Sequence, residues 1–300
     1  MVKVKTGVES VEIKQSLKHT LFVEGNSSNS FDPKVLSVLF NDINIKIEAL
    51  GASFHINSTA KALYEYHPEY YFLIDRDSQS EEEVEDSWRN FPNPRTHNRI
   101  IWRKKELENY FLAPDFVTKS KWFNTKKTKN DFIKSLENAA SKQIYYDAAN
   151  RVIIDIRDNL RKQWIEVFPN SSKFDTYEKA LEELINLKPE FDIKKKNDAY
   201  FFKKDTLELL FEKQVKLLIG NETECKIGIG KWIDLMCGKN LFKFLVNSSL
   251  FKVIDRNENI VQGNEKIYEI SKSLLELPDS DLPNDFQELK KLISLRIEIY

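Results

Sequence analysis

Four short apolar runs dominate the first third of the chain: TLFVEG at 20–25, INIKIEAL at 43–50, YYFLID at 70–75 and NRIIW at 98–102. After the first, Asp32 and Pro33 stand where an N-cap and a first helical residue belong, and Val35, Leu36, Leu39 and Phe40 supply a helical apolar face. The second run alternates with period two and ends at Gly51, after which Asn57 or Ser58 can cap a short helix through Ala62, Leu63 and Tyr66 that breaks near Pro68. Strands alternating with helices in this way predict a parallel, Rossmann-like sheet in an α/β domain. Beyond the acidic EEEVED run at 81–86 and the loop-forming FPNPR, the fourth strand leads into a short helix, ELENYFL, stopped by Pro114.

From about residue 130 the pattern turns helical. Phe132, Leu136, Ala140, Ile144, Ala148, Val152, Ile156, Leu160 and Trp164 recur every four residues, which predicts one long helix or two joined end to end. Tyr177, Leu181, Leu184 and Ile185 mark another helix. A helix capped by Asp205 follows, then one begun by Trp232, Leu235 and Met236 and broken near Gly238, and a last one between Pro283 and Tyr300. The expected organisation is a catalytic α/β domain over 1–125 and a mainly α-helical domain over 126–300 for partner binding or oligomerisation.

The apolar runs are far shorter than the roughly 20 residues that span a bilayer, and MVKVKTGVES has no apolar signal core, so the expectation is a cytoplasmic protein with no membrane partner. Cys225 and Cys237 match neither a CxxC pair nor a zinc knuckle, which suits free thiols in a reducing compartment. A net charge of -1 does not advertise a polyanion binder. The basic residues are nevertheless grouped: Arg95, Arg99, Arg103, Lys104 and Lys105; Lys119, Lys121, Lys126, Lys127 and Lys129; and Lys194–Lys196 with Lys203 and Lys204 around Tyr200, Phe201 and Phe202. Each run taken alone is an ordinary solvated loop.

The chemistry sits at the strand ends. Glu24 is the last-but-one residue of a strand buried on both faces, where an ionised carboxylate must meet a cation, a donor or water. Asp75 and Asp77 stand at the same end of another strand, the edge at which open α/β sheets place their ligands. Such an oxygen-rich pocket suits a hard cation, and magnesium is satisfied by a few carboxylates plus waters. His19, His55, His67 and His97 have no spacing that builds a zinc site or a triad, and neither a GxSxG elbow nor a GxxxxGKS phosphate loop occurs.

Glutamate-glycine after the first strand and aspartate-x-aspartate after the third, in LFVEG and FLIDRD, followed by LENYFL, resemble the toprim domain shared by topoisomerases, primases and the overcoming-lysogenization-defect nucleases. Over roughly residues 15–115 the chain is similar to stand-alone toprim proteins encoded beside ABC-type ATPases, such as the toprim effectors of the PARIS anti-phage system. The helical remainder is matched only through WIDLMCGKNLF at 232–242. The resemblance implies that Glu24 is a general acid/base or metal ligand, that Asp75 and Asp77 hold Mg2+, with Mn2+ as a substitute, and that Glu108 extends the metal shell. It also implies that the GAS loop at Gly51 lies near the site. In the overcoming-lysogenization-defect pattern an acid follows the glutamate-glycine by a few residues. Here Asn26, Ser27, Ser28 and Asn29 fill that stretch and the next acid is Asp32, so whether one metal or two bind stays open.

The function implied is a Mg2+-dependent toprim endonuclease acting as a toxic antiviral effector. RNA, tRNA in particular, stands ahead of DNA as substrate; an ABC-type ATPase is the restraining partner and a homodimer an expected active form. Arg99, Arg103, Lys104, Lys105, Lys126 and Lys127 are the expected nucleic-acid contacts, because an acidic pocket needs a basic rim to bring phosphates near. The competing readings are a non-catalytic interaction subunit of an ATPase complex and a DNA-cleaving nuclease. A topoisomerase or primase is disfavoured by the lack of a TxY context and of zinc-ribbon cysteines.

Overall fold

The computed structural model describes residues 19–77, 79–91, 93, 97–160, 167–186 and 203–299. Arg95, Trp164, Lys194–Lys196, Tyr200, Phe201 and Phe202, singled out above, lie outside the described residues. The chain divides into two units, Met1–Lys127 with Val246–Tyr300, and Thr128–Leu245. The first boundary falls close to the expected one, but the last stretch of the chain groups with the sheet and not with the helices before it. The expected single helical domain over 126–300 is therefore not how the chain divides.

In the first unit, β1 (Thr20–Val23), β2 (Lys46–Ala49), β3 (Tyr70–Ile74) and β4 (Arg99–Ile101) form one parallel sheet in the order β2-β1-β3-β4. β1 and β3, the two most apolar runs, are buried at every position and take the centre, as strands covered on both faces must. Phe22 stacks on Phe72 at 5.3 Å and meets Tyr70 edge-on at 5.5 Å across their shared ladder. Helices α1 (Phe31–Leu39), α2 (Ser53–Leu63) and α3 (Glu81–Asn90) make the three crossovers.

α1 starts earlier than expected, at a Ser30 N-cap, so that Asp32 and Pro33 both lie in its first turn, where a missing N–H costs nothing. α3 forms in the acidic run, which carries little apolar patterning. A capping box starts it: the Ser80 amide donates to the Glu83 carboxylate at 2.9 Å and the Glu83 amide to Ser80 Oγ at 3.2 Å. α3 then covers the outer edge of β4, where the Ile101 amide donates to Ser87 Oγ at 3.1 Å and its carbonyl accepts from Trp88 Nε1 at 2.6 Å. ELENYFL is a 3-10 helix over Leu107–Leu112, and Pro114, expected only as a stop, opens the one-turn helix α4 (Pro114–Val117).

The second unit contains α5 (Lys129–Ser141), α6 (Ile144–Leu160), α7 (Tyr177–Ile185), α8 (Lys204–Ile219) and α9 (Trp232–Leu235), and most of α10 (Gly238–Asn247), which runs into the junction. The four-residue repeat is thus two helices, and Gly238 begins a helix that follows the short one at Trp232. α8 packs on α6 and α7, with Tyr177 and Phe211 rings 4.9 Å apart and buried Gln214 bonded to both Arg151 and Asp155. Cys225 and Cys237 are free thiols; burial pushes the Cys225 thiol up to about 12.

The returning segment supplies α11 (Gly263–Leu275), which packs on α1, and α12 (Asn284–Ile299). Phe286 of α12 enters an aromatic group with Trp102 (5.8 Å), Tyr110 (4.8 Å) and Phe111 (6.3 Å). Arg296, fully buried, donates to the Phe91 and His97 carbonyls at the two ends of the α3–β4 loop. No helix among the described residues is long and apolar enough to cross a membrane.

Candidate functional site

From β1 the chain connects to β2 on one side, and from β3 it connects to β4 on the other, so the direction of winding reverses between β1 and β3. Open α/β sheets bind ligands at the carboxyl ends of the strands flanking such a reversal. Glu24 follows β1 and Asp75 follows β3. The structure brings them together: the Asp75 amide donates to Glu24 Oε1 at 3.2 Å. Glu24 is half-buried, whereas Asp75 is only 6% exposed. Asp77 is exposed and holds a φ of 41°, a left-handed conformation that costs an aspartate less than most residues but still occurs for a reason.

The loop after Glu24 is built around Gly25, at φ 141°. Its amide donates to the Gly51 carbonyl at 3.0 Å and its carbonyl accepts from the Gly51 amide at 2.7 Å, which puts the GAS loop beside the Glu24 loop. A Cβ on Gly25 would stand 2.7 Å from Ser30 Cβ. Ser30 Oγ does not cap α1; it accepts the amides of Asn26 (3.0 Å) and Ser27 (3.2 Å) and so closes the loop. Asp32, the next acid, is buried in the first turn of α1.

Glu106 and Glu108 are both buried. The Glu106 amide donates to Asn109 Oδ1 at 3.2 Å at the start of the 3-10 helix, while Glu108 lies within it. Among the described residues no group of three or more His, Cys, Asp or Glu side chains is arranged to hold a metal ion. The donor chemistry of Glu24 and Asp75 fits Mg2+, which is held by one or two carboxylates with water completing its shell. A cage of three or four carboxylates, as expected from Glu24, Asp75, Asp77 and Glu108 together, is not assembled.

The basic residues fare unevenly. Arg99 opens β4 at the amino end of the sheet, donates to Asn57 Oδ1, and is held below the usual arginine pKa by burial. Arg103 is bound to Glu85 (2.8 Å), Asp285 (2.9 Å) and Glu288 (2.6 Å), with its guanidinium 4.1 Å from the Trp88 ring centre. Burial opposes its charge, but hydrogen bonds to Glu288, Glu85 and Asp285 outweigh that and raise its pKa. Arg103 therefore ties α3 to α12, and its guanidinium is committed inside the unit. Lys104 Nζ sits 5.4 Å from the Tyr110 ring centre, and the Lys105 carbonyl accepts the Arg76 amide at 2.9 Å. Lys126 is exposed and Lys127 half-buried, following Asn124.

One residue of the site escaped the sequence reading. Arg76, between the two aspartates, is 7% exposed and its guanidinium donates to the Arg103 carbonyl (2.8 Å), the Gln79 carbonyl (3.4 Å) and Glu81 (2.9 Å). An arginine flanked by two acids was the available signal. Comparison with family models and with curated protein sequences gives no match for this chain.

Proposed function

We propose that this chain is a Mg2+-dependent toprim-type nuclease in which Glu24 and Asp75 are the central carboxylates and Asp77 and Glu108 assist. The observation that carries this reading is the meeting of Glu24 and Asp75 at the winding reversal, one half-buried and the other almost wholly so. Two acids at the same end of neighbouring strands, Asp75 almost wholly buried, are costly to keep ionised without a counter-charge, so this edge is one that a divalent ion would stabilise. Glu24, the more accessible, takes the proton of the attacking water. Asp75 would hold the ion, with Asp77 on the same turn and Glu108 on the 3-10 helix as the further acids that the toprim resemblance implies. When bound, Mg2+ supplies neutralisation of the charge that develops on the phosphate being cleaved. RNA ahead of DNA as substrate, restraint by an ABC-type ATPase in the cytoplasm, a role in antiviral defence and an active homodimer follow from the toprim resemblance.

Among the described residues no group of three carboxylates is arranged to hold an ion, and the second reading kept beside the first is a non-catalytic subunit of an ATPase complex. Purified full-length protein incubated with tRNA and with plasmid DNA, in Mg2+ or in chelator, separates them. Metal-dependent cleavage is expected, reduced at least ~100-fold in Glu24→Gln and Asp75→Asn, the scale on which a general base contributes. Cleavage that persists in chelator, or unimpaired variants, would remove these carboxylates from the chemistry. An inert wild-type protein that still co-purifies with a co-expressed ATPase would favour the second reading.

A further inference from the structure

Ile74 pairs with Ile101 and its carbonyl takes the Trp102 amide at 3.0 Å. If that parallel ladder ran on, the next inward-facing amide of β3, that of Arg76, would meet the Trp102 carbonyl. It donates to the Lys105 carbonyl instead, at 2.9 Å. The chain between Trp102 and Lys105 therefore loops out at the carboxyl edge of the sheet, and the Arg103 carbonyl inside that loop is taken by Arg76 Nη1 at 2.8 Å. One residue thus grips the loop twice, by main chain and by side chain. Its other guanidinium bonds, to the Gln79 carbonyl and Glu81, fix the turn that carries Asp77 and the start of α3. Directly after the loop comes the 3-10 helix with Glu108.

We infer that Arg76 is a positioning residue that holds the Asp75–Asp77 turn in register with the segment delivering Glu108. This rests on the metal-dependent reading for its functional consequence, though not for its geometry. The geometry needs a planar fork: several acceptors lying around one guanidinium are matched by its fixed donors, whereas a lysine ammonium is a single point at the end of a flexible stem. Outer groups that orient metal-binding carboxylates typically govern affinity or activity by about 10–100-fold.

The test uses full-length Arg76→Lys, which keeps the charge and loses the fork, and Arg76→Met, which loses both. Three measurements are made: melting temperature, amide hydrogen exchange over residues 103–109 by mass spectrometry, and the Mg2+ half-saturation of cleavage together with calorimetric titration by Mg2+ alone. In Arg76→Lys, exchange over 103–109 should rise while that of β1 and β3 stays protected, and Mg2+ half-saturation should rise about 10–100-fold. A folded Arg76→Lys with wild-type exchange over 103–109 overturns the inference, whether or not the protein cleaves anything. So does a raised exchange with wild-type Mg2+ half-saturation, since the role would then be structural only. If the wild type neither binds Mg2+ nor cleaves, the nuclease reading fails by itself, and the exchange data still decide whether Arg76 sets the position of this loop.

Discussion

Gly25→Ala is the sharpest perturbation of the loop that follows Glu24. The added Cβ would stand 2.7 Å from Ser30 Cβ, 3.0 Å from Ser30 Oγ and 3.4 Å from Ala49 Cβ, on a residue at φ +141°. Backbone strain of this kind costs about 1–3 kcal/mol. Moving Ser30 aside also breaks its bonds to the Asn26 and Ser27 amides, about 0.5–1.5 kcal/mol each. The lower entropy of an unfolded alanine offsets about 0.4–1 kcal/mol. A net loss of about 2–4 kcal/mol is expected, a large part of the ~5–15 kcal/mol that holds a typical domain together. Ser30→Gly alone should lose only the two amide bonds, because glycine is an acceptable N-cap. The double variant should therefore lose at least ~1 kcal/mol less than the two single losses added, the collision having been removed. Urea unfolding followed by fluorescence and far-UV circular dichroism, whose coincidence checks two-state behaviour, measures all three. Additive losses, or a Gly25→Ala protein within ~0.5 kcal/mol of wild type, would refute the close packing of this loop.

Burial holds His97 below its usual pKa of 6.5, with Arg99 and Arg296 acting in the same direction and Asp86 opposing. The unfolded chain then binds the proton more tightly, so this contribution is complete above about pH 6.5 and is lost as pH falls from there through the folded-state pKa. His19 shifts in the same direction, also through burial. Urea midpoints at pH 7.5 and 5.5 should differ less in His97→Gln than in wild type; an equal difference would clear His97 of the effect. Arg103→Met leaves Glu85, Asp285 and Glu288 without their common cation and is expected to cost about 1–3 kcal/mol after allowance for partial exposure, read as a drop in urea midpoint. For single-stranded RNA, replacing Lys126 and Lys127 by alanine should flatten the plot of log affinity against log salt by about 0.7 per lost phosphate contact. Arg99→Ala should leave that slope unchanged, since its guanidinium is turned into the fold.

The central strands are legible because burial at every position calls for near-continuous apolar runs, and the nearness of Glu24 to the Asp75 main chain follows from their places at the same end of neighbouring parallel strands. α3 is hard to read from sequence because Val84 and Trp88 are its only large apolar residues; the serine and glutamate of its capping box are the usable sign. α11 offers a plainer sign, since Ile267, Ile270, Leu274 and Leu275 follow helical spacing. The fate of Arg103 had no local signal at all. Its partners Asp285 and Glu288 lie on the last helix, and a basic run in sequence cannot reveal that one of its members has been claimed by acids so far along the chain.

The sheet unit is interrupted, and the two edges of the interruption are held side by side. The Asn124 amide donates to the Leu250 carbonyl at 2.9 Å, and Phe123 and Phe251 form an antiparallel bridge with their rings 5.6 Å apart. Thr128–Leu245 is thus inserted between two neighbouring stretches of the sheet unit, its far boundary falling in the last turn of α10. Cutting the chain after Lys127 would strip the sheet of Phe286, Arg296 and two of the three acids that hold Arg103, Asp285 and Glu288, and the fragment should fail to fold. Joining Lys127 to Val246 by a few flexible residues should instead yield a free-standing domain that retains Glu24, Asp75 and every contact described around them. A surgical boundary of this kind separates whatever the helical insertion recognises from whatever the sheet does.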